Sequence, residues 1–522
     1  MKHLPLDVST LKMMIERDYV YIDKTEHIFN LFNKGNRFYF LSRPRRFGKT
    51  LLISTLKEFF LGNKNLFKDL WVGESVEYQW PQYPVIHLDF STIANKTEAF
   101  FDASLSLELK TIATSYGIDV SAAQSSNDKL KILVRTLAQK NEVVLLIDEY
   151  DYPLLCNLEF PIVANALQNM MRNFYSMIKA LDPHLRAVFI TGVSKFSKTS
   201  IFSGMNNVND ITLKPEGATL LGYTESEIRC FLQPHLEDFA KVKNLSVDTI
   251  MQEMQAWYNG YRFSENDETA KMYNPFSVLH CLQNKQFKNY WFETGTPGFL
   301  VHLLKKQYQF IENIENIELS GSSLGTFDIN DMPIIPILFQ TGYLTIQHYN
   351  KELDKYTLSY PNHEVAESFK KYLVSALSHT DIVGVEASIY QIKHALEICN
   401  IDLFCNTLRS LFANIPYLLH IPEEKYYHSL FQFMLDLMGL EAQSEIMTSK
   451  GRIDLVVQVK STVFIFEIKF KDSAENALKQ ILEKRYYEKY TAGGKKIVLI
   501  GLSFHYKDKT LNIDWVNQEM AS

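Results

Sequence analysis

Apolar and polar positions follow three successive rhythms along this chain. Between residues 38 and 192 the apolar residues come in short, mainly apolar runs, unbroken at 38–41 and 143–147, separated by amphipathic stretches. Phe38–Leu41, Val85–Phe90, Val143–Ile147 and Ala187–Gly192 are the runs, and 98–117, 127–139 and 161–180 are the stretches between them. An unbroken apolar run marks a strand covered on both faces, and alternation with helical periods predicts β-α units with a parallel sheet. From about 215 the pattern becomes mainly helical. Tyr223–Glu227 reads as an N-cap with acids in the first turn, Trp257–Phe263 as an aromatic turn, Tyr273–Ser277 as a helix start and Tyr343–Ile346 as a short strand. The last hundred residues change again: a helix over 423–438, strands at 441–447, 452–459 and 463–470, a helix over 474–490 and a strand at 496–502. The expected organisation is α/β, with a parallel-sheet core over 1–215, a mainly helical region over 216–415 and an α-β-β-β-α-β domain over 416–522.

Composition narrows the class without naming it. The chain has 522 residues, 46% hydrophobic and 22% charged, with a formal net charge of -6. That is ordinary globular composition, and a uniformly basic nucleic-acid coat is excluded. Five scattered cysteines without a CxxC argue against structural zinc or a disulfide framework. With neither a signal-peptide pattern nor a bilayer-length apolar run, a cytoplasmic protein without membrane association is expected.

Chemistry concentrates in two places. In the first, the strand Phe38–Leu41 runs into Arg43-Pro44-Arg45-Arg46-Phe47-Gly48-Lys49-Thr50, followed by an amphipathic segment. Strand, tight turn and helix N-terminus form the setting of a phosphate-binding loop. Arg45, Arg46, Phe47 and Gly48 would line the phosphates of ATP, Lys49 would pair with the β- and γ-phosphates, and Thr50 would enter the Mg²⁺ shell. The general pattern has glycine where this chain has Arg43, so a basic surface loop is the competing reading. Asp148 and Glu149, at the end of the strand Val143–Ile147, fit the second half of such a site. Asp148 would hold Mg²⁺ and Glu149 would orient the attacking water. Ser194, with Thr191, is a candidate γ-phosphate contact or a plain strand-end cap. Tyr21, Asp23 and Lys24 are candidates for the base, and Arg43, Arg45, Arg46 and Arg172 for transition-state charge.

The second place is the last domain. Asp454 lies in one expected strand, and Glu467 and Lys469, two apart in the next, share a face. Charges within an apolar strand need a partner or a metal; an edge-strand ion pair accounts for Glu467 and Lys469 but not for Asp454. Asp454 and Glu467 are candidate Mg²⁺ ligands (Mn²⁺ being an alternative), and Lys469 would position or activate water in phosphodiester cleavage. Glu424, with Glu445 as competitor, would complete the acidic cluster, and His428, Gln480 and Tyr486 are further candidates.

The segments YIDKT, SRPRRFGKT, LLIDEYD, ITGVSKFSKTSIFSGMNN, LLGYTESE, WYNGYRF and YNPFSVL resemble the bacterial AAA-ATPase-like family of P-loop proteins. In that family the first loop glycine is commonly absent, so Arg43 is expected. The resemblance implies ATP binding through Lys49, Thr50, Asp148 and Glu149. Asp454, Glu467, Lys469, Gln480 and Tyr486 lie within SEIMTSKGRIDLVV, VFIFEIKF and ALKQILEKRYYEKY, which resemble the PD-(D/E)XK nuclease superfamily. That likeness implies metal-dependent action on nucleic acid, DNA first and RNA as the alternative. Two functions stay open: an ATP-controlled nuclease, and a nucleotide-dependent switch or partner-binding protein whose last domain does not cut. A homo-oligomer is compatible with either.

Overall fold

The computed structural model describes residues 1–33, 35–196, 201, 205, 207–292, 316–325, 333–378, 380–413, 431–432, 434–439, 441–448, 451–507 and 510–520. They form two compact units, the first ending at Val365 and the second beginning at Ala366.

The first unit is built on five parallel strands: β1 (Phe38–Ser42), β2 (Val85–Asp89), β3 (Val143–Asp148), β4 (Leu185–Gly192) and β5 (Asn209–Asp210). Their order is β2-β3-β4-β1-β5, with Phe38 opposite Val188 and Val144 opposite Ala187. Every residue of β1 and β3 is buried, as the unbroken apolar runs require. Each fully buried aliphatic side chain there contributes roughly 1.5–3 kcal/mol. The intervening helices run over Lys49–Phe60, Glu98–Ser115, Ser126–Leu137 and Pro161–Ala180. Thr97 and Ser125 cap two of them by accepting from Phe100 and Asp128 N–H, which fixes their starts. The segment after the sheet opens with the capping box Thr224–Glu227. It also carries a three-stranded antiparallel sheet in the order β6-β8-β7 (β6 Ile317–Ser320, β7 Thr345–Asn350, β8 Lys355–Ser359). The helix Ile334–Thr341 before β7 is buried along its whole length.

The second unit carries helices and a mixed sheet of β9 (Glu441–Thr448), β10 (Gly451–Val459), β11 (Thr462–Phe470), β12 (Lys496–Lys507) and β13 (Thr510–Met520), in the order β13-β12-β11-β10-β9. β11 and β12 are parallel, and the helix Ala474–Lys484 connects them. Two features depart from the pattern-based reading. The expected helix over 474–490 ends at Lys484, where Arg485 takes a left-handed conformation (φ 52°), and Tyr486–Gly493 continues as 3₁₀ turns. The change of pitch brings Tyr486 into the core beside Ile481 and Leu499. A further strand, β13, pairs antiparallel with β12 along the edge; its polar residues hid it from a search for apolar runs. Of the expected helix over 423–438, only 431–432 and 434–438 are described, as helix up to 437 and as a turn at 438. Glu424 and His428 lie outside the described residues, as does the side chain of Glu445. Among the described residues no helix is long and apolar enough to cross a membrane.

Candidate nucleotide and nuclease-like sites

The turn after β1 closes onto the helix Lys49–Phe60 through Gly48, which is left-handed (φ 92°). A Cβ there would meet nothing nearer than Leu221 at 3.8 Å, so the requirement for glycine comes from the backbone angle. The first N–H groups of this helix have no intrahelical acceptor, which suits them to an anion. Lys49 is buried, and its ammonium lies 3.1 and 3.2 Å from the carbonyl oxygens of Arg43 and Pro44 and 3.5 Å from Glu149. Thr50 is exposed at the same turn.

The loop's other residues have separable tasks. Arg43 is 1% exposed. Its guanidinium donates to the carbonyls of Ser42 (2.8 Å), Thr212 (2.8 Å) and Gly217 (2.6 Å) and lies 4.0 Å from the Phe263 ring centre. Burial pushes its pKa down to about 9, against the opposing pull of Asp210. Arg43 therefore joins the loop to the segment after β5. Phe47 is buried against Tyr261 (4.8 Å) and Phe263 (5.4 Å), so the aromatic turn of the sequence forms the back of the loop. Arg46 (φ 66°) is exposed, 4.8 Å from the Phe276 ring centre. Arg45 is half-buried, and its carbonyl accepts from the Trp291 indole at 3.0 Å. Arg172 is on the helix Pro161–Ala180, 3.3 Å from Asn169 Oδ1.

At the end of β3, Asp148 is buried and accepts from Thr191 Oγ1 (2.5 Å) and from the N–H of Glu149 (3.0 Å). Thr191 lies on β4, the strand between the loop strand and the acidic strand, so one hydroxyl orients the candidate metal carboxylate. Glu149 is left-handed (φ 50°) and faces Lys49. Thus Lys49 and Glu149 meet directly, and Asp148 sits one residue away. Ser194 is turned to Asp151: its N–H (2.6 Å) and Oγ (2.5 Å) both donate to Asp151 Oδ2, and Val193 N–H adds a third donor. Asp151 is fully buried. Burial, then the nearby Glu149, raises its carboxyl to about 6, while the three donors hold the rise in check. The sequence analysis gave Asp151 no role; its signal was a second acid two residues after Glu149. Tyr21 and Lys24 line a small apolar cavity with Phe47, Gly48 and Leu51. Lys24 is paired there with Glu227 at 2.5 Å, and Tyr21 is 3.3 Å from Thr55 Oγ1. Asp23 instead caps the helix Thr25–Asn33 by accepting from Thr25 N–H at 2.8 Å.

In the second unit Leu455 pairs with Phe466, which brings Asp454 and Glu467 next to each other on adjacent strands. Asp454 Oδ2 accepts from the Ile468 N–H at 2.8 Å. Glu467, 1% exposed, accepts from Lys469 at 2.9 Å and from Gln480 Nε2. Gln480 also reaches the Tyr486 hydroxyl, whose pKa is raised chiefly by burial. Asp454, Glu467, Lys469, Gln480 and Tyr486 are therefore gathered at one place. Gly501, opposite Glu467 on β12, makes this possible: a Cβ there would collide with the Ala474 carbonyl oxygen, and its absence lets the helix press Gln480 onto the sheet. Sequence reading missed Gly501 because a lone glycine in a strand has several explanations. Among the described residues no group of three or more acidic, histidine or cysteine side chains is arranged to hold a metal. Two carboxylates and a main-chain carbonyl such as that of Ile468 nonetheless fit the chemistry of Mg²⁺, a hard cation that keeps several waters.

Comparison with known proteins assigns both units. Residues 5–202 match the family model of predicted AAA-ATPases, and residues 422–515 match the PD-(D/E)XK nuclease superfamily. An uncharacterized protein in the vnfD 5′ region of Azotobacter chroococcum mcd 1 is 34% identical over 519 residues, 96% of each chain. The chain belongs to this family of AAA-ATPase-like proteins with a PD-(D/E)XK domain. Among solved structures, the Walker-type ATPase PABY2304 of Pyrococcus abyssi aligns at 14% identity and a TM-score of 0.37, over 71% of this chain and 98% of its own. The Aeropyrum pernix ORC1 protein in complex with DNA aligns at 10% and 0.26, over 69% and 96%. The α/β class is read from the strand order itself. The two domains imply nucleotide binding and divalent-metal use.

Proposed function

We propose that the first unit binds and hydrolyses ATP with Mg²⁺, and that its nucleotide state controls metal-dependent cleavage of nucleic acid, DNA foremost, by the second. The observation that supports this reading is that Lys49 faces Glu149 beside Asp148 in one unit, and that Asp454, Glu467 and Lys469 lie together in the other. In the first, Lys49 exchanges its carbonyl and Glu149 contacts for phosphate oxygens. Glu149, released from Lys49, orients water, and Thr191 keeps Asp148 aimed at the metal shell. The N–H groups at the start of the helix Lys49–Phe60 take phosphate charge. In the second, Asp454 and Glu467 hold the ion, Lys469 positions water, and Gln480 and Tyr486 fix the Glu467 carboxylate. The ion supplies polarisation of the phosphate and stabilisation of the leaving oxygen.

A panel of single- and double-stranded DNA and RNA, incubated with Mg²⁺ or Mn²⁺ and with or without ATP, tests this. Asp454→Ala is expected to abolish cleavage while ATP turnover continues. Lys49→Ala is expected to lower ATP turnover by roughly 10²–10³-fold, the usual cost of losing a preorganised charge donor, and to remove the ATP dependence of cleavage. Cleavage that survives both Asp454→Ala and Lys469→Ala would overturn the nuclease assignment. One observation favours a second reading, a nucleotide switch with a non-cleaving last domain: Lys469 and Gln480 already engage Glu467. That reading predicts Lys49-dependent ATP binding and no cleavage with either ion.

A further inference from the structure

A second cleft of about 810 Å³ opens in the first unit, on the β5 side of the sheet. The residues around Gly48 and Lys49 do not line it. Its lining includes Ser42, the last residue of β1, with Lys214, Gln340, Tyr349, Lys351 and Tyr356. The two tyrosine rings are 4.5 Å apart and inclined by 31°. Each is held at its hydroxyl, Tyr349 by Asp354 (3.0 Å) and Tyr356 by Glu265 (2.6 Å). Tyr356 is buried and backs the partly exposed Tyr349 ring, whose orientation is fixed before any ligand arrives.

The charge in the cleft is unevenly spent. Lys195 is paired with Asp210, and Glu265 takes the Tyr356 hydroxyl. The Lys214 ammonium donates to the neutral Asn209 Oδ1 (2.5 Å), and no carboxylate among the described residues pairs with Lys214 or Lys351. Both lysines are exposed. A fixed aromatic face flanked by two available cations matches a ligand that carries a flat base and a phosphate.

We propose that this cleft is a nucleotide-unit binding site distinct from the P-loop, with the base on Tyr349 and the phosphate between Lys214 and Lys351. The ligand is either one unit of a single strand or a free nucleotide. The choice of a strand rests on the proposed action on nucleic acid; the site itself does not.

The full-length Lys49→Ala/Asp454→Ala chain, without divalent ions, isolates the cleft from both other sites, so loss of cleavage and loss of cleft binding are read separately. A short fluorescent oligothymidine is titrated against it, and thymidine monophosphate is titrated as a competitor. Tyr349→Ala is expected to weaken oligonucleotide binding by about ten-fold or more, Tyr349→Phe to leave it near the starting value, and Lys214→Glu/Lys351→Glu to weaken it and flatten its salt dependence. Melting curves confirm that each variant is folded; the two lysine changes are at exposed positions and serve if Tyr349→Ala is not. Tight strand binding with weak monophosphate competition identifies a strand site, and equal affinities identify a free-nucleotide site. Failure of both probes to bind, or binding unchanged in folded Tyr349→Ala and lysine variants, overturns the proposal.

Discussion

Arg43 and Glu467 are both 1% exposed and both charged, one in each unit, yet they are held in opposite ways. Arg43 meets three backbone carbonyls and an aromatic face. All its partners are neutral parts of the scaffold, and its charge is spent fixing the phosphate loop to the segment after β5. Glu467 meets side chains, Lys469 and Gln480, that are themselves candidates for chemistry. A buried charge satisfied by backbone ends in structure; one satisfied by movable side chains can exchange them for an ion. Burial alone does not separate the two cases, because desolvation costs both groups the same kind of energy. The partners do.

The comparison can be broken at its stronger end first. Replacing Arg43 with the glycine of the general loop pattern leaves three buried carbonyls without donors. Destabilisation of the first unit on the order of 3 kcal/mol or more is expected, seen as a lower denaturation midpoint. An unchanged midpoint would mean that the guanidinium braces nothing. Next, Lys469→Met removes a cation from Glu467 and is expected to destabilise the second unit by about 1–3 kcal/mol. The pair Glu467→Gln/Lys469→Met is expected to recover most of that loss in a double-mutant cycle. Additive effects would deny the pairing. Glu149→Gln, in contrast, lies beyond a strand end and half-exposed, and unfolding is expected to be indifferent to it.

The smallest effect concerns pH. Asp151 has a carboxyl raised to about 6 in the folded chain from an ordinary 3.8. The folded state thus keeps a proton that the unfolded state has already released. Stability from this group is present at acid pH, falls as pH rises from about 4 to about 6, and is flat above that. The slope cannot exceed about 1.4 kcal/mol per pH unit for one group. Asp151→Asn is expected to remove this slope from denaturation curves, and a slope that persists would assign it elsewhere.

How much of this was legible follows from which forces leave marks on neighbouring residues. The apolar run Val143–Ile147 ending in Asp148 and Glu149 announced a buried parallel strand with its chemistry at the carboxyl end, because a strand buried on both faces tolerates nothing polar along its length. Glu467 and Lys469 were legible for the converse reason: they are charges where none belong. The task of Arg43 was not, since its partners Thr212 and Gly217 lie some 170 residues away and are named only by the fold. Nor was Gly501, whose value is the room it gives to the backbone of Ala474 and Leu478. β13 was hidden because an edge strand needs only one apolar face, and Arg485 because a left-handed arginine has no sequence signature.

The strand order carries a cost in time. β1 cannot be flanked on either side until β4 and β5 exist, and Phe38 waits about 150 residues for Val188. At roughly 5–20 residues per second of synthesis, the apolar segment Phe38–Ser42 leaves the ribosome about 10–30 s before its neighbour arrives. During that interval a β-strand apolar at every position but Ser42 is available to any other nascent chain. The phosphate loop, which hangs from that strand, is thus among the earliest parts of the chain to be made and among the last parts of its unit to be set.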